Sequence, residues 1–293
     1  MTYSAKILSD SISKYNHRFI TYEIVLPRIV LAELNTHKIL SKNSASSRAI
    51  PVEKMIKKVL EDPYIPSHWG KNQRGMQAEF KVNIFTAWRS KKEWLKARDN
   101  AVDSANKLLK FGIHKQITNR LLEPFMWHTV IISGTEWDNF FSQRCHKDAH
   151  PDIKETAQLM RDLYNESIPI ELNENQWHCP LIQDDEWHLS YELLKKISAG
   201  RCARVSYLNH DGKRDIKADI ELGERMVKSG HCSPFEHIAR PMDDDEIINY
   251  SRFKKIPDKE WIEEGPFCGP LKGWVQYRKE FLHEENLLAY TNN

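Results

Sequence analysis

Hydrophobic and polar positions alternate imperfectly over residues 17–36, NHRFITYEIVLPRIVLAELN, where Ile, Val, Phe and Tyr dominate. The pattern predicts a strand at about 19–26, broken at Pro27, and a helix from about 28 onward. A polar run of small residues follows at 41–48, then Pro51 and a short helix near 52–61. Residues 62–75 read as a loop, with two prolines and two glycines. Trp88, Trp94, Leu95, Ala101, Val102, Ala105, Leu108 and Leu109 recur at three- and four-residue steps, which predicts a long helix over roughly 80–110 capped by Gly112. Shorter helices fit 114–122, 135–143 and 151–165, the last with Ile153, Ala157, Met160 and Tyr164 on one stripe. Residues 170–190 read as irregular, and helices are predicted at about 190–208 and 216–229, the second ending at Gly230. The tail, 242–293, holds an acidic run (Asp243 to Asp245), a Gly/Pro loop and the aromatic-basic stretch Trp274 to Lys279. The reading is an α+β fold, mostly helical, without solenoid repeats or low-complexity segments.

Composition narrows the functional classes. The chain has 293 residues, 40% hydrophobic and 29% charged, which describes globular material able to bury a core. A net charge of +2 from balanced acids and bases argues against a dedicated nucleic-acid surface, while leaving room for a local basic pocket. No stretch approaches the roughly 20 apolar residues of a membrane helix, and the N-terminus lacks the apolar core of a secretory signal. The five cysteines are scattered and unpaired in spacing, so reduced thiols in a cytoplasm are expected.

Three constellations carry candidate chemistry. His37 to Arg48 packs an imidazole, cations, four serines and an amide into twelve residues; it reads equally as an anion-binding site or as a solvated Ser/Asn loop. His231-Cys232-Ser233-Pro234-Phe235-Glu236-His237 follows a helix stopped by Gly230 and reads as acid–base machinery or as an incidental helix-end loop. Arg120 and Arg144, with Arg201 and Arg204, supply guanidinium groups, and Asn139 an amide. For Arg120 in its apolar surroundings, a structural pair with Glu123 is the plainer reading. Cys145, His146, His150, His178 and Cys179 fit no tight zinc spacing, so no metal is expected, and nothing near Cys179 marks an activated nucleophile.

Taken together, these blocks resemble the flavin-dependent thymidylate synthases, the ThyX family. Its Arg-His-Arg triplet leads through Ser, Asn and Glu to Ser-x-Arg; here the triplet reads Thr36-His37-Lys38, and Ser41, Asn43, Ser46 and Arg48 fall in register. Arg201 to Tyr207 and His231 to His237 are similar to that family's N-terminal region, whereas Arg120 to Pro124 and Glu136 to Arg144 resemble its later helices. The Ser-Pro-Phe-Glu-His block, which precedes the triplet in the usual family chain, follows it here by almost 200 positions, as a circular permutation would arrange it.

The resemblance implies a single ThyX-like domain over 1–293 with a twisted antiparallel sheet. Within it lie a motif-bearing core at 17–167, a permuted N-terminal-like segment at 198–240 and a C-terminal extension at 242–293. It further implies a homotetramer, FAD reduced by NADPH, methylenetetrahydrofolate as carbon donor and dUMP as substrate. Permuted members of this kind imply a bacteriophage origin and hence a host cytoplasm. By position, His37, Lys38, Ser41, Asn43, Asn139, His231, Ser233 and Glu236 would line FAD. Ser46, Ser47, Arg48, Arg120 and Arg144 would hold the nucleotide, with Arg144 and Ser46 at the reacting ring and Arg278 supplying charge from the tail. Thr36, Lys38, Ser44 and Ala49 depart from the family pattern. The change from Glu to Ser at 44 leaves another C5 modification, such as hydroxymethylation, open beside methylation, and the degraded triplet leaves open a relative that binds without turnover.

Overall fold

The computed structural model describes residues 2–205, 215–255 and 261–281. Its first element is one the hydrophobic pattern did not announce: β1 (Ser4–Ser13) is a strand of interleaved Ser, Asp, Lys and Ile. It pairs antiparallel with β2 (Arg18–Pro27) through a turn in which Asn16 takes the left-handed conformation, φ 61°. Asp10 on β1 and Arg18 on β2 form a two-pronged ion pair at 2.6 and 2.8 Å, which is why a polar strand survives at this position. After a short helix α1 (Leu31–Leu34) comes β3 (Ser41–Ser44), a strand where the polar run read as a loop.

The next stretch is helical. α2 is Val52–Glu61, α3 is Ile84–Lys110 and α4 is Lys115–Thr118; a 3-10 turn at Asn119–Phe125 replaces the second half of the helix expected over 114–122. Pro124 explains the replacement, since it donates no backbone hydrogen bond. α3 starts at Ile84 rather than near 80 because the Asn83 side chain accepts from the Thr86 amide at 2.8 Å. It ends as expected, with Gly112 at φ 76°. Val102 and Ala105 are buried against α2, but Trp88 is half exposed, so the apolar stripe of α3 reaches beyond the core of α2 and α3.

β4 (Trp127–Gly134) also escaped the sequence reading. It lies between β2 and β3 in a five-stranded sheet of order β3-β4-β2-β1-β5. α5 (Asp138–Arg144) and α6 (Pro151–Glu166) follow, then β5 (Ile170–Leu172) inside the stretch expected to be irregular. β5 runs parallel to β1, so the sheet is mixed rather than wholly antiparallel. The class remains α+β. α8 (Ile216–Lys228) matches its expected span, whereas α7 (Tyr191–Ala203) ends short of the expected 208, with Arg204 and Val205 in a turn and 206–208 outside the described residues. The remaining elements are β6 (Ala239–Pro241), α9 (Asp244–Tyr250), β7 (Ser251–Lys255), β8 (Trp261–Cys268), β9 (Leu271–Lys272) and β10 (Trp274–Gln276). β10 pairs with β6, so this part of the tail is built into the fold.

Both faces of the sheet are covered. On one, Tyr22, Ile24, Val130 and Ile132 pack against Trp137 and Phe140 of the α5 region and Ile153, Ala157 and Met160 of α6. On the other, Phe19 meets Ala239, Leu271 and Trp274, and Ile131 meets Cys202 and Val205. Between these apolar patches runs a buried polar seam. Thr21 and Ser133 are hydrogen-bonded at 2.7 Å, His178 Nε2 lies 2.9 Å from the Thr21 hydroxyl, and His237 Nδ1 lies 2.8 Å from the Ser133 hydroxyl. α7 and α8 approach so closely that a Cβ on Gly200 would sit 2.0 Å from the Asp219 carbonyl oxygen.

Burial pushes the imidazoles of His178, His237 and His128 down to about 3, so all three stay neutral in the fold while the unfolded chain protonates near pH 6.5. With native pKa values depressed, their contribution is complete above pH 6.5 and is lost as pH falls. Each histidine should lower the unfolding free energy by about 1.4 kcal/mol per pH unit. Urea titrations at pH 7, 6 and 5 should show a steadily falling midpoint; equal midpoints would mean these rings protonate in the native state.

Candidate functional site

Two segments of α1–β3 and α5 meet first. The Thr36–His37–Lys38 turn follows α1, and Arg144 closes α5, where its charge suits the helix C-terminus. Arg144 Nε–H donates to His37 Nε2 at 2.8 Å, and Nη2 donates to the Thr36 hydroxyl at 2.9 Å and the Glu33 carbonyl at 3.3 Å. His37 is buried edge-on against Phe140. Burial first, then the charges of Arg144 and Lys42, hold its pKa down to about 4, so a neutral ring accepts from Arg144. Where the family pattern has an arginine at 36, this chain has a hydroxyl that orients another arginine.

β3 is an edge strand, and what lies along it decides the site. Asn43 Nδ2–H donates to the Cys202 carbonyl at 2.6 Å, and the Ser233 hydroxyl donates to Asn43 Oδ1 at 3.4 Å. Gln276 Nε2–H donates to the Ser41 hydroxyl and to the Glu236 carbonyl, both at 3.3 Å. Arg278 Nη1–H donates to the Glu236 carboxylate. Residues 41–43, 233–236 and 276–278 therefore converge with the end of α7, although 190 positions separate Asn43 from Ser233. Gln276 is a member of this cluster that the motif reading missed, as is Lys42 on the opposite side of β3, where it donates to the His37 and Leu40 carbonyls. Lys42 was visible in the sequence as a cation between two named positions; Gln276 carried no signal.

Beyond β3, the Ser46–Arg48 loop is held from below. Asn119, fully buried, donates through Nδ2 to the carbonyls of Ser47 and Ile50 at 2.7 and 2.9 Å. The Ser47 hydroxyl donates to Glu123 at 2.8 Å, and Arg120 donates to the same oxygen at 2.7 Å. The pair with Glu123 is as the sequence suggested, but Arg120 is exposed rather than enclosed in its apolar stretch. Ser46 and Ser47 line a cavity of about 140 Å³ whose other walls include Met55, Phe125, Trp127 and His128. The buried Trp127 indole N–H has no partner there.

The third constellation does not assemble. Arg201 is buried between Glu186, at 2.6 Å, and Asp219, at 2.9 Å, and Arg204 pairs with Asp219 at 3.0 Å; these guanidinium groups hold α7 to its neighbours. Lys38, Arg48, Asn139 and His231 are exposed, and His231 Nδ1 lies 3.0 Å from the Ser229 hydroxyl. Burial pushes the Cys179 thiol up, and the Cys202 thiol up to about 12. Among the described residues no group of three or more His, Cys, Asp or Glu could hold a metal ion, and no helix is long and apolar enough to cross a membrane.

With this geometry in view, the chain can be set beside known proteins. The family model described as thymidylate synthase complementing protein matches residues 7–170, more than half of the sequence. The chain belongs to this family. The matched span carries Thr36 to Arg48, Arg120, Asn139 and Arg144, and leaves 198–240 outside it. Solved structures of a UMP/dUMP methylase, PolB from Streptomyces cacaoi, bound with 5-Br UMP and with 5-Br dUMP, are similar at 15% identity. Each covers 56% of this chain, and 89% and 90% of their own chains respectively, with a TM-score of 0.47. No curated protein matches.

The Ser46–Arg48 loop should depend on Asn119. Replacing it with alanine strands two carbonyls, and Asn119→Ala should lower the unfolding free energy by about 2–4 kcal/mol. Chemical denaturation checks this; a loss below half a kcal/mol, roughly the level of a neutral surface change, would show that the loop is held by other means.

Proposed function

We propose that this chain is a flavin-dependent thymidylate synthase that converts dUMP to dTMP. Family membership supports pyrimidine nucleotide chemistry, and the observation that carries the reading is the junction on β3. Ser41 and Asn43 are joined there to Ser233, Glu236 and Arg278, so two motif blocks far apart in the chain form one surface. This junction supports a permuted order, in which 198–240 plays the part of the usual N-terminal region.

The residues fit a large anionic cofactor. Lys42, Lys38 and Arg278 supply positive charge about β3, and the fully buried His237 ring keeps Nε2 without a partner. His37, Lys38, Ser41, Asn43, Asn139, His231, Ser233 and Glu236 are the residues that would hold FAD. Bound there and reduced by NADPH, FAD would supply hydride for pyrimidine C6, and methylenetetrahydrofolate would supply the carbon for C5.

The chain's own groups do the positioning. Arg144 keeps a permanent charge, and His37, Thr36 and the Glu33 carbonyl fix its plane, so a pyrimidine carbonyl facing its outer edge would be polarised for attack at C6. Ser46, Ser47, Arg48 and Arg120 would hold the nucleotide at the loop anchored by Asn119 and Glu123. Arg278 brings tail charge to Glu236 and so to the flavin side. The buried, protonated thiols of Cys179 and Cys202 are unsuited to nucleophilic attack, which agrees with a route that needs none. Assembly as a homotetramer belongs to the same proposal.

Purified protein should be yellow and, with dUMP, methylenetetrahydrofolate and NADPH, should release a nucleotide of dTMP mass. A hydroxymethylated product would redirect the reading to another C5 modification, and bound flavin and nucleotide without turnover would make the chain a binding relative. Arg278→Ala should weaken flavin and nucleotide binding by about tenfold, the loss of one charge-assisted hydrogen bond; unchanged affinities would remove the tail from the site.

A further inference from the structure

We infer that Lys42, with Lys38 beside His37, forms an anion subsite that takes a phosphate group of the nucleotide or the flavin. The inference deepens the function proposed above and rests on it. Ser41 and Asn43 turn toward the segments at 276 and 233, so the alternation of a strand sends Lys42 to the other side of β3. There its ammonium donates to the carbonyls of His37 and Leu40, the latter at 2.7 Å. Two of three N–H groups are thereby aimed and one is left for a ligand.

The charges about this point do not cancel. Arg144 spends its described hydrogen bonds on His37, Thr36 and the Glu33 carbonyl, all uncharged acceptors. Among the described residues neither Lys42, Lys38 nor Arg144 forms an ion pair with a carboxylate. Glu236 attracts Lys42 but is bound by Arg278, and Glu33 holds one buried oxygen without a partner. Burial and then Lys38 lower the Lys42 pKa to about 8. A half-buried ammonium and a second lysine without a counter-ion are the surroundings that favour a phosphate. Position 42 lies between the two motif residues Ser41 and Asn43 and has no assigned part in the family pattern, and it restores on β3 the cation that Thr36 does not supply.

The test compares wild type, Lys42→Met and Lys42→Arg by calorimetry against dUMP and deoxyuridine, and against FAD and riboflavin, with thermal melts to confirm folding. Lys42→Met should weaken dUMP or FAD by roughly 10–100-fold, as expected for a hydrogen bond between charged groups. It should leave the matching uncharged ligand unchanged, and Lys42→Arg should recover most of the loss. The dUMP arm responding assigns the nucleotide phosphate; the FAD arm assigns the pyrophosphate. At pH 8.5 the wild type should also take up a proton on binding, because an anion raises the lysine pKa, and Lys42→Met should not. Equal loss for charged and uncharged ligands, or no loss in either arm, overturns the subsite while leaving the enzyme reading intact. A wild type that binds none of the four overturns both.

Discussion

β2 and β4 have no solvent side. Their alternate residues are buried on both faces, under α5 and α6 on one and under the segments around 177–205 and 237–276 on the other. A sheet covered on one face only would leave Phe19, Ile131 and the Thr21–Ser133 pair in water, so the C-terminal third has to lie against it. The histidine seam makes this docking specific: His178 and His237 meet hydroxyls presented by β2 and β4, and a slip of one residue would bury those groups without partners. The same docking carries Ser233, Glu236 and Gln276 to the open edge of β3.

Polar chemistry then gathers where covering stops. β3 is the edge strand, short and made of Ser, Lys, Asn and Ser, and its side chains are satisfied by segments remote in sequence. Carboxylates next to it are committed: Glu123 to Ser47, Arg28 and Arg120, and Glu236 to Arg278. Among the described residues the cations at 38, 42 and 144 pair with no carboxylate. This asymmetry distinguishes the site from the ion pairs of α7 and α8, where Arg201 and Arg204 are balanced by Glu186 and Asp219 and serve packing.

Long amphipathic helices and their caps were legible along the chain because they depend on local spacing: α3 with Gly112, α6 with its stripe, and α8 ending at Gly230. β1 and β4 were not. β1 hides its pattern behind Ser and Asp residues that are stabilised by an ion pair across the hairpin, and β4 is buried on both faces, which removes the alternation that marks a half-buried strand. The motif residues could be placed in register one by one, yet Arg120 was assigned to an enclosed position it does not occupy.

The sequence by itself determined the helices, the family and the identity of the site's chemical groups, since spacing, capping and motif register are properties of neighbouring residues. Tertiary structure alone decided which of those groups meet. The pairing of Asn43 with Ser233 and the tail's approach to Glu236 follow from covering the second face of the sheet, and the absence of an ion pair at Lys42 among the described residues follows from where the carboxylates end up. Burial area and charge balance are sums over contacts far apart in the chain, and no local pattern contains them.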